Sequence, residues 1–337
     1  MRRRQFFRSA AFTTAGLTLT NSIPAYGAGL FSPFRPPRLR DGDKVAVITP
    51  GSALSSEDFE KALANLRSLG LHPVPMTYAN RKYGFLGGTD YQRLSDFHEA
   101  FANPEFRGVI CARGGYGTGR IISNIDYDLV RKNPKVLLGF SDITALLNAV
   151  DKETGLVCFH GPVAASELTD FTRSQLRKTL FAGDTTNLLA ENGYTVKSGV
   201  ATGKLVGGNL SLITSLMGTP YEINFRKKIV LIEEVGESPY RIDRMMTQLL
   251  NARSLQSARA IVFGSFNDCD IDFEDPKNKG EFTLRQVITD RCAMLNLPVY
   301  YGIQTGHVAD NATLPIGMKM ELDADAGTLR SFESPVK

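Results

Sequence analysis

Four short segments of this 337-residue chain carry residue types that could do covalent chemistry. In the first, Leu137-Leu138-Gly139-Phe140-Ser141-Asp142-Ile143-Thr144, an apolar run ends at a glycine, a serine follows, and a helical pattern begins at once. A serine on a sharp strand-to-helix turn lifts its hydroxyl above a sheet, where a base can reach it. Ile143 stands where the generic G-x-S-x-G motif has its last glycine, so Ser141 also reads as a plain helix N-cap. The second segment, Arg113-Gly114-Gly115-Tyr116-Gly117-Thr118-Gly119-Arg120, follows another apolar run. Its glycines permit a tight turn whose backbone N–H groups can hold a developing oxyanion, or simply a structural turn. With Ile122 where a glycine is needed and no G-K-[ST] after it, the segment fits neither the dinucleotide fingerprint nor the P-loop. The third ends an apolar strand with Glu233-Glu234, which alternation points to opposite faces, so at most one enters a given site. Two solvated acids at a strand exit are the other reading. The fourth, Gly302-Ile303-Gln304-Thr305-Gly306-His307, puts a histidine in a loop after a strand, where a lone histidine is most often a surface residue. His72, His98 and His160 fall at a strand start, in a helix and in a Gly-Pro turn.

These segments need elements to hold them. From Lys44 to Pro162, apolar runs (Val45–Ile48, His72–Met76, Gly108–Cys111, Val136–Gly139, Leu156–Phe159) alternate with helical patterns such as Phe59–Leu69 and Tyr91–Phe101. Continuous apolar strands separated by helices read as a parallel sheet covered on both faces, with ligands bound beyond the carboxyl ends of its strands. Ser141 and the glycine turn fall at such ends. Residues 166–193 read as a helical connector with its clearest helix at Ser174–Phe181. The texture then changes. Strands are expected at Tyr194–Lys197, Gly203–Val206, Lys228–Val235, Ala260–Phe263, Pro298–Ile303 and Met318–Leu322, and helices at Asn209–Met217, Arg241–Leu250 and Thr283–Leu295. The fold class is therefore α/β: a three-layer, Rossmann- or flavodoxin-like domain over residues 38–165, then a mixed α/β domain over 194–335 with a small curved sheet or barrel.

Charge limits the partners. Arg2, Arg3, Arg4 and Arg8 precede the first acid, Asp41, and account for the formal charge of +4. The other 35 basic residues match the 35 acids, so no basic surface for nucleic acid is expected. Residues 1–28 combine that basic start, a mildly apolar stretch and the small-residue run Ala25-Tyr26-Gly27-Ala28, the order of an export signal. Arg3-Arg4-Gln5-Phe6-Phe7 is similar to a twin-arginine signal, so export to the periplasm or beyond is expected, without stable membrane insertion. Cys111, Cys158, Cys269 and Cys292 lack C-x-x-C spacing and the histidines are dispersed, so no metal site is expected.

Taken together, Asn133 through Thr144, the Arg113–Gly117 turn, His160-Gly161-Pro162, Gly207-Gly208-Asn209-Leu210, the Glu233 strand with Pro239-Tyr240-Arg241, and Gly306-His307 resemble, in order, the LD-carboxypeptidase (muramoyltetrapeptide carboxypeptidase) family. The resemblance spans roughly residues 40 to 330. It implies a serine peptidase that needs no cofactor, with Ser141 as nucleophile, Glu233 as acid and His307 as base. It also implies an oxyanion hole of backbone N–H groups, mapping to Asp142 and to Gly114-Gly115. The expected reaction removes terminal D-alanine from a murein tetrapeptide during peptidoglycan turnover, and family members are often homodimers. Arg113, Tyr116, Asn209 and Arg241 are candidates for touching substrate, with Arg244 a further cation for its terminal carboxylate. Structural salt bridges are the other reading of the arginines. The chain departs from the family in carrying an export signal, where well-known members are cytoplasmic, and in placing a second glutamate beside Glu233.

Two other functions use the same scaffold. One is an immunity-type hydrolase of a peptidyl- or aminoacyl-nucleotide antibiotic. A purine wants an aromatic platform, best supplied by tryptophan, and this chain has none. The other is a non-catalytic binder of muropeptides, in which loss of a triad member is expected, whereas all three are present here.

Overall fold

The computed structural model describes residues 33–190, 192–272 and 274–337; the segment 1–28, expected to be an export signal, lies outside them. Strands β1 (Lys44–Ile48), β2 (His72–Pro75), β3 (Gly108–Cys111), β4 (Val136–Gly139) and β5 (Cys158–His160) form a parallel sheet in the order β5-β4-β3-β1-β2. Helices α1 (Ser56–Ser68), α2 (Asp90–Ala102), α3 (Tyr127–Lys132) and α4 (Ile143–Thr154) cross between these strands. Every residue of β3, β4 and β5 is buried, as strands covered on both faces require. The helices start where the sequence caps them. Ser55 accepts from Asp58 N at α1, and Thr89 and Gln92 form a reciprocal capping box at α2.

The connector bears α5 (Asp170–Leu176), which passes into one wider π-type turn at Arg177–Ala182. The helix begins before the expected Ser174 because the Thr169 side chain caps it, accepting from Thr172 N.

The second part contributes β6 (Asn187–Leu189), β7 (Tyr194–Lys197), β8 (Val200–Asn209), α6 (Leu210–Ser215), β9 (Lys228–Val235), α7 (Pro239–Asn251), β10 (Ala260–Asn267), α8 (Leu284–Ala293) and β11 (Val299–Tyr301). The last strands are β12 (Leu314–Ile316), β13 (Lys319–Asp323) and β14 (Thr328–Ser331). All but β12 join one mixed sheet, ordered β6-β14-β13-β8-β9-β10-β11-β7. Its centre, β8 to β11, is parallel, and antiparallel strands flank it. The order ends at β6 and β7, so the expected curved sheet or barrel is here an eight-stranded sheet with two edges.

Strand β12 is not anticipated by the sequence reading. It leaves the second part of the chain and lies antiparallel to β5 at the edge of the first sheet, with Pro315 opposite Phe159. Three residues give no readable period, and proline is tolerated at a sheet edge. The four cysteines are all buried and unpaired. No helix among the described residues is long and apolar enough to cross a membrane.

Candidate active site

Ser141 follows the carboxyl end of β4 with φ 64°, a left-handed conformation that costs a non-glycine residue roughly 1–2 kcal/mol. This excludes the plain N-cap reading. An N-cap takes extended backbone and accepts a bond from its own helix, whereas Asp142 occupies the cap position of α4 without any such side-chain bond. The strain is held from both sides. Phe140 is buried between the rings of His160 and His307, and Thr144 N returns to Ser141 O at 2.9 Å.

The glycine turn lies against this serine. A Cβ placed on Gly114 would sit 2.8 Å from Ser141 Cβ and 3.1 Å from Phe140 O, so no larger residue fits. Among the described residues, the amides of Gly114, Gly115 and Asp142 donate to no protein acceptor, the condition for receiving an oxyanion. The Asp142 side chain holds the far end of the turn. Its carboxylate accepts from Thr118 N at 2.8 Å, and the Thr118 hydroxyl donates to its carbonyl at 2.6 Å. Burial pushes this carboxyl up from its ordinary range, with the Thr118 and Gly117 bonds opposing. Beneath the turn, the buried Arg93 guanidinium donates to the carbonyls of Pro50 and Gly117.

The second part of the chain supplies an acid and an imidazole to the same place. Glu233, near the end of β9, is fully buried, and its Oε2 lies 2.7 Å from His307 Nδ1. His307 Nε2 lies 3.1 Å from Ser141 Oγ. Three side chains from two sheets thus form one continuous line. Burial pushes the Glu233 carboxyl above its ordinary range, and the His307 bond pulls it partly back. The imidazole rests against Phe140, ring centres 4.8 Å apart, and its side chain is 20% exposed, enough for a reactant to approach.

Its loop is pinned from a distance. Gly306 N donates to Asn311 Oδ1 at 3.1 Å, Asn311 N donates to Thr172 Oγ1 at 2.9 Å, and Thr172 donates to Ala309 O at 2.8 Å. Thr169 adds a bond to Asp310 at 2.5 Å. The caps of α5 therefore fasten the histidine loop, which a lone-histidine reading does not reveal.

Helix α4 aligns the two halves. Asn148 bonds both ways with Gly207 of β8, its Nδ2 to the carbonyl at 2.9 Å and its Oδ1 from the amide at 3.0 Å. Thr144 Oγ1 accepts from Asn209 N at 3.0 Å. A Cβ on Gly208 would fall 2.4 Å from Thr144 Oγ1, so the glycine pair is what lets helix and strand meet. Since Asn209 pairs with Glu233 in the parallel register, docking α4 on β8 also sets where the carboxylate stands relative to Ser141. An ion pair of the half-buried Lys204 with the buried Asp151 at 2.7 Å closes the far end of the same contact.

The remaining expected contacts divide. Glu234 is not solvated: it accepts from Asn209 Nδ2 at 2.8 Å and from Ser211 N and Oγ at 2.8 and 2.7 Å. Asn209, expected to touch substrate, is buried, with its Oδ1 capping α6 and its Nδ2 on Glu234. Both ends of its amide are engaged within the protein. Arg241 is held by Glu237 at 3.3 Å and Tyr240 at 3.0 Å in a groove formed with Ser211, Arg244 and Gln248, the ion-pair reading rather than a free cation. Arg113 and Tyr116 are exposed beside the glycine turn. His160 sits beneath the site, fully buried, with no hydrogen-bond partner on either ring nitrogen among the described residues. Burial, with His307 nearby, pushes its pKa down to about 3.

Comparison with known proteins identifies the family of the chain. Residues 45–161 match the N-terminal domain of LD-carboxypeptidases and residues 202–322 match the C-terminal domain. A probable murein peptide carboxypeptidase of Bacillus subtilis is 38% identical over 306 residues, covering 88% of this chain and 93% of that protein. The murein tetrapeptide carboxypeptidase of Pseudomonas aeruginosa is 33% identical, covering 84% and 94%. The solved muramoyltetrapeptide carboxypeptidase of Oxalobacter formigenes superposes with a TM-score of 0.76 at 28% identity, covering 85% of this chain and 97% of that one. With both halves matched in order and relatives aligned over most of their length, the chain belongs to the LD-carboxypeptidase family.

Proposed function

We propose that this protein is a serine carboxypeptidase that releases the terminal D-alanine from murein tetrapeptide, with Ser141, His307 and Glu233 as its catalytic triad. The observation that carries this reading is His307 bridging Ser141 Oγ at 3.1 Å and Glu233 Oε2 at 2.7 Å. A serine hydroxyl becomes a competent nucleophile when a neighbouring base takes its proton. His307 Nε2 accepts that proton as Oγ bonds to the carbonyl carbon, and the resulting oxyanion accepts from the amides of Gly114, Gly115 and Asp142. His307 then gives its proton to the departing amine, and D-alanine leaves. Water, deprotonated by the same nitrogen, hydrolyses the acyl-serine and returns the proton to Oγ. Glu233 stays ionised, holds Nδ1–H and stabilises the imidazolium. Each amide donor is worth roughly 3 kcal/mol in the transition state.

The names of the relatives from Bacillus and Pseudomonas support a murein substrate. Incubating the protein with murein tetrapeptide should liberate one D-alanine per peptide, and the Ser141→Ala protein should liberate none. An aminoacyl-nucleotide offered in parallel should be left intact; its hydrolysis with the tetrapeptide untouched would place the protein with immunity hydrolases instead. The segment 1–28 supports export by the twin-arginine route. Replacing Arg3 and Arg4 by lysine should retain the protein in the cytoplasm on cell fractionation. Sedimentation should show the homodimer that the family resemblance implies.

A further inference from the structure

We propose that the crevice on the far side of the glycine turn from Ser141 is a subsite for the acidic body of the substrate, upstream of the bond that is cut. The inference rests on the carboxypeptidase reading above. Strands β4, β3 and β1 are successive neighbours, so the loops after them stand side by side at the carboxyl edge of the sheet. The first carries Ser141. The second carries Arg113 and the glycine turn, and the third carries Ser52 to Ser55. The last two, with the 82–85 tip and the start of α1, line an open crevice of about 630 Å³.

Ser52 joins this space to the reaction centre. Its Oγ accepts from Tyr116 N at 3.0 Å and lies 2.4 Å from where a Gly115 Cβ would stand. The other face of the same turn is Gly114, against Ser141.

The lining carries two cations, Arg113 and Lys82, against one acid, Asp58. Arg113 donates to Ala53 O at 2.9 Å and, among the described residues, forms no ion pair. Lys82 lines the same space and makes no hydrogen bond or ion pair among the described residues. The one acid there, Asp58, is occupied in the first turn of α1, where it accepts from Ser55 Oγ at 2.8 Å. Two cations without an ion-pair partner among the described residues, beside serine hydroxyls, suit a carboxylate, and the arginine fork suits it best. Arg241, by contrast, already has Glu237. Phe85 adds an apolar ring to the lining, 64% exposed and 5.7 Å between ring centres from Tyr116 of the glycine turn. Size decides which part of the substrate enters. Pockets of about 300–1,000 Å³ hold ligands much larger than one amino acid. The leaving alanine does not need this volume, whereas the peptide behind the scissile bond does.

The test compares full-length wild type with Lys82→Ala, Arg113→Ala and the double variant. Two substrates are used: murein tetrapeptide, and the same peptide with the free carboxylate of its acidic residue upstream of the diamino acid converted to an amide. Each single variant should raise KM for the acidic peptide about tenfold with kcat held. Wild type should lose a similar factor on the amide peptide, and the double variant should no longer tell the two peptides apart. Arg113→Lys should restore part of the loss. Unchanged KM in all variants overturns the subsite. So does a variant effect that persists on the upstream amide but vanishes on a peptide amidated at its C-terminus, since the cations would then hold the leaving residue. Calorimetry of both peptides on Ser141→Ala protein reads the subsite without turnover. If wild type frees no D-alanine while charge-dependent binding persists, the catalytic reading falls and the subsite stands; turnover without discrimination has the opposite meaning.

Discussion

The two halves of the candidate active site are built by different means. Around Ser141, function rests on main-chain geometry: a left-handed serine, a glycine turn lying against it, and amides that donate to nothing in the protein. Around Glu233 and His307 it rests on a buried charge and on side-chain bonds that fix a loop, through Asn311 and Thr172, to a helix cap well over a hundred residues away. The first half stores strain in one residue and is supported by its own sheet. The second stores electrostatic cost in a desolvated carboxylate, offset by the imidazole that faces it. A local fault should therefore damage the first half, and a packing fault anywhere along the α5–loop contact should damage the second.

Substitutions can break this comparison. Ser141→Ala and His307→Ala should each cost about a million-fold in kcat, since members of a triad act as a unit. Near-equal activity in either variant removes that residue from the chemistry. The adjacent acids separate the roles next. Glu233→Gln should lower kcat about ten-thousandfold by leaving the imidazole wrongly held. Glu234→Gln should act mainly on stability, because its partners are Asn209 and Ser211. If the two glutamine variants lose kcat equally, the assignment of the acid to Glu233 fails. Gly114→Ala tests the main-chain half while leaving Ser141, His307 and Glu233 unsubstituted. Its methyl would crowd Ser141 at 2.8 Å, and displacing one oxyanion donor should cost about 100- to 1,000-fold in kcat with the circular dichroism spectrum unchanged.

Smaller effects sharpen the contrast. His160 is buried neutral, with its pKa depressed to about 3 from an ordinary 6.5, so the unfolded chain takes up a proton that the folded chain refuses. Its contribution is therefore complete above pH 6.5 and is lost as pH falls toward 3. At pH 5 the loss is about 2 kcal/mol. His160→Leu should flatten that part of the stability profile in urea melts at pH 7 and pH 5, whatever its effect at pH 7 alone. An unchanged slope would place the acid sensitivity elsewhere. Ser141→Gly should be more stable than Ser141→Ala by about 1 kcal/mol, because glycine accepts the left-handed backbone that alanine must be forced into. Equal melting of the two inactive variants would mean that the turn carries no strain.

Much of this was legible in the residues. An apolar run, glycine, serine and immediate helix are local signals, and they placed Ser141 at the end of β4 because strand and helix periods change over within a few positions. Alternation along β9 separated Glu233 from Glu234, which face different partners. The family resemblance made Asn209 a candidate for touching substrate, whereas its bonds to Glu234 and to the start of α6 depend on neighbours that the linear chain does not reveal. Thr144 and Asn148 left a fainter trace, two polar side chains four apart on a helix otherwise apolar there, hence on one face. Nothing in the linear chain said that this face meets β8.

By itself, then, the sequence determined the alternating strands and helices of the first domain, the caps that start the helices, and the identities of three chemically competent side chains, because all of these follow from spacing of a few residues. The tertiary structure alone decided that the three meet. It returned β12 to the first sheet, laid α4 on the glycines of β8, and bound the His307 loop to α5. Each of those contacts joins residues far apart in the chain, where no local period or propensity acts and only the complementarity of two folded surfaces selects the partner.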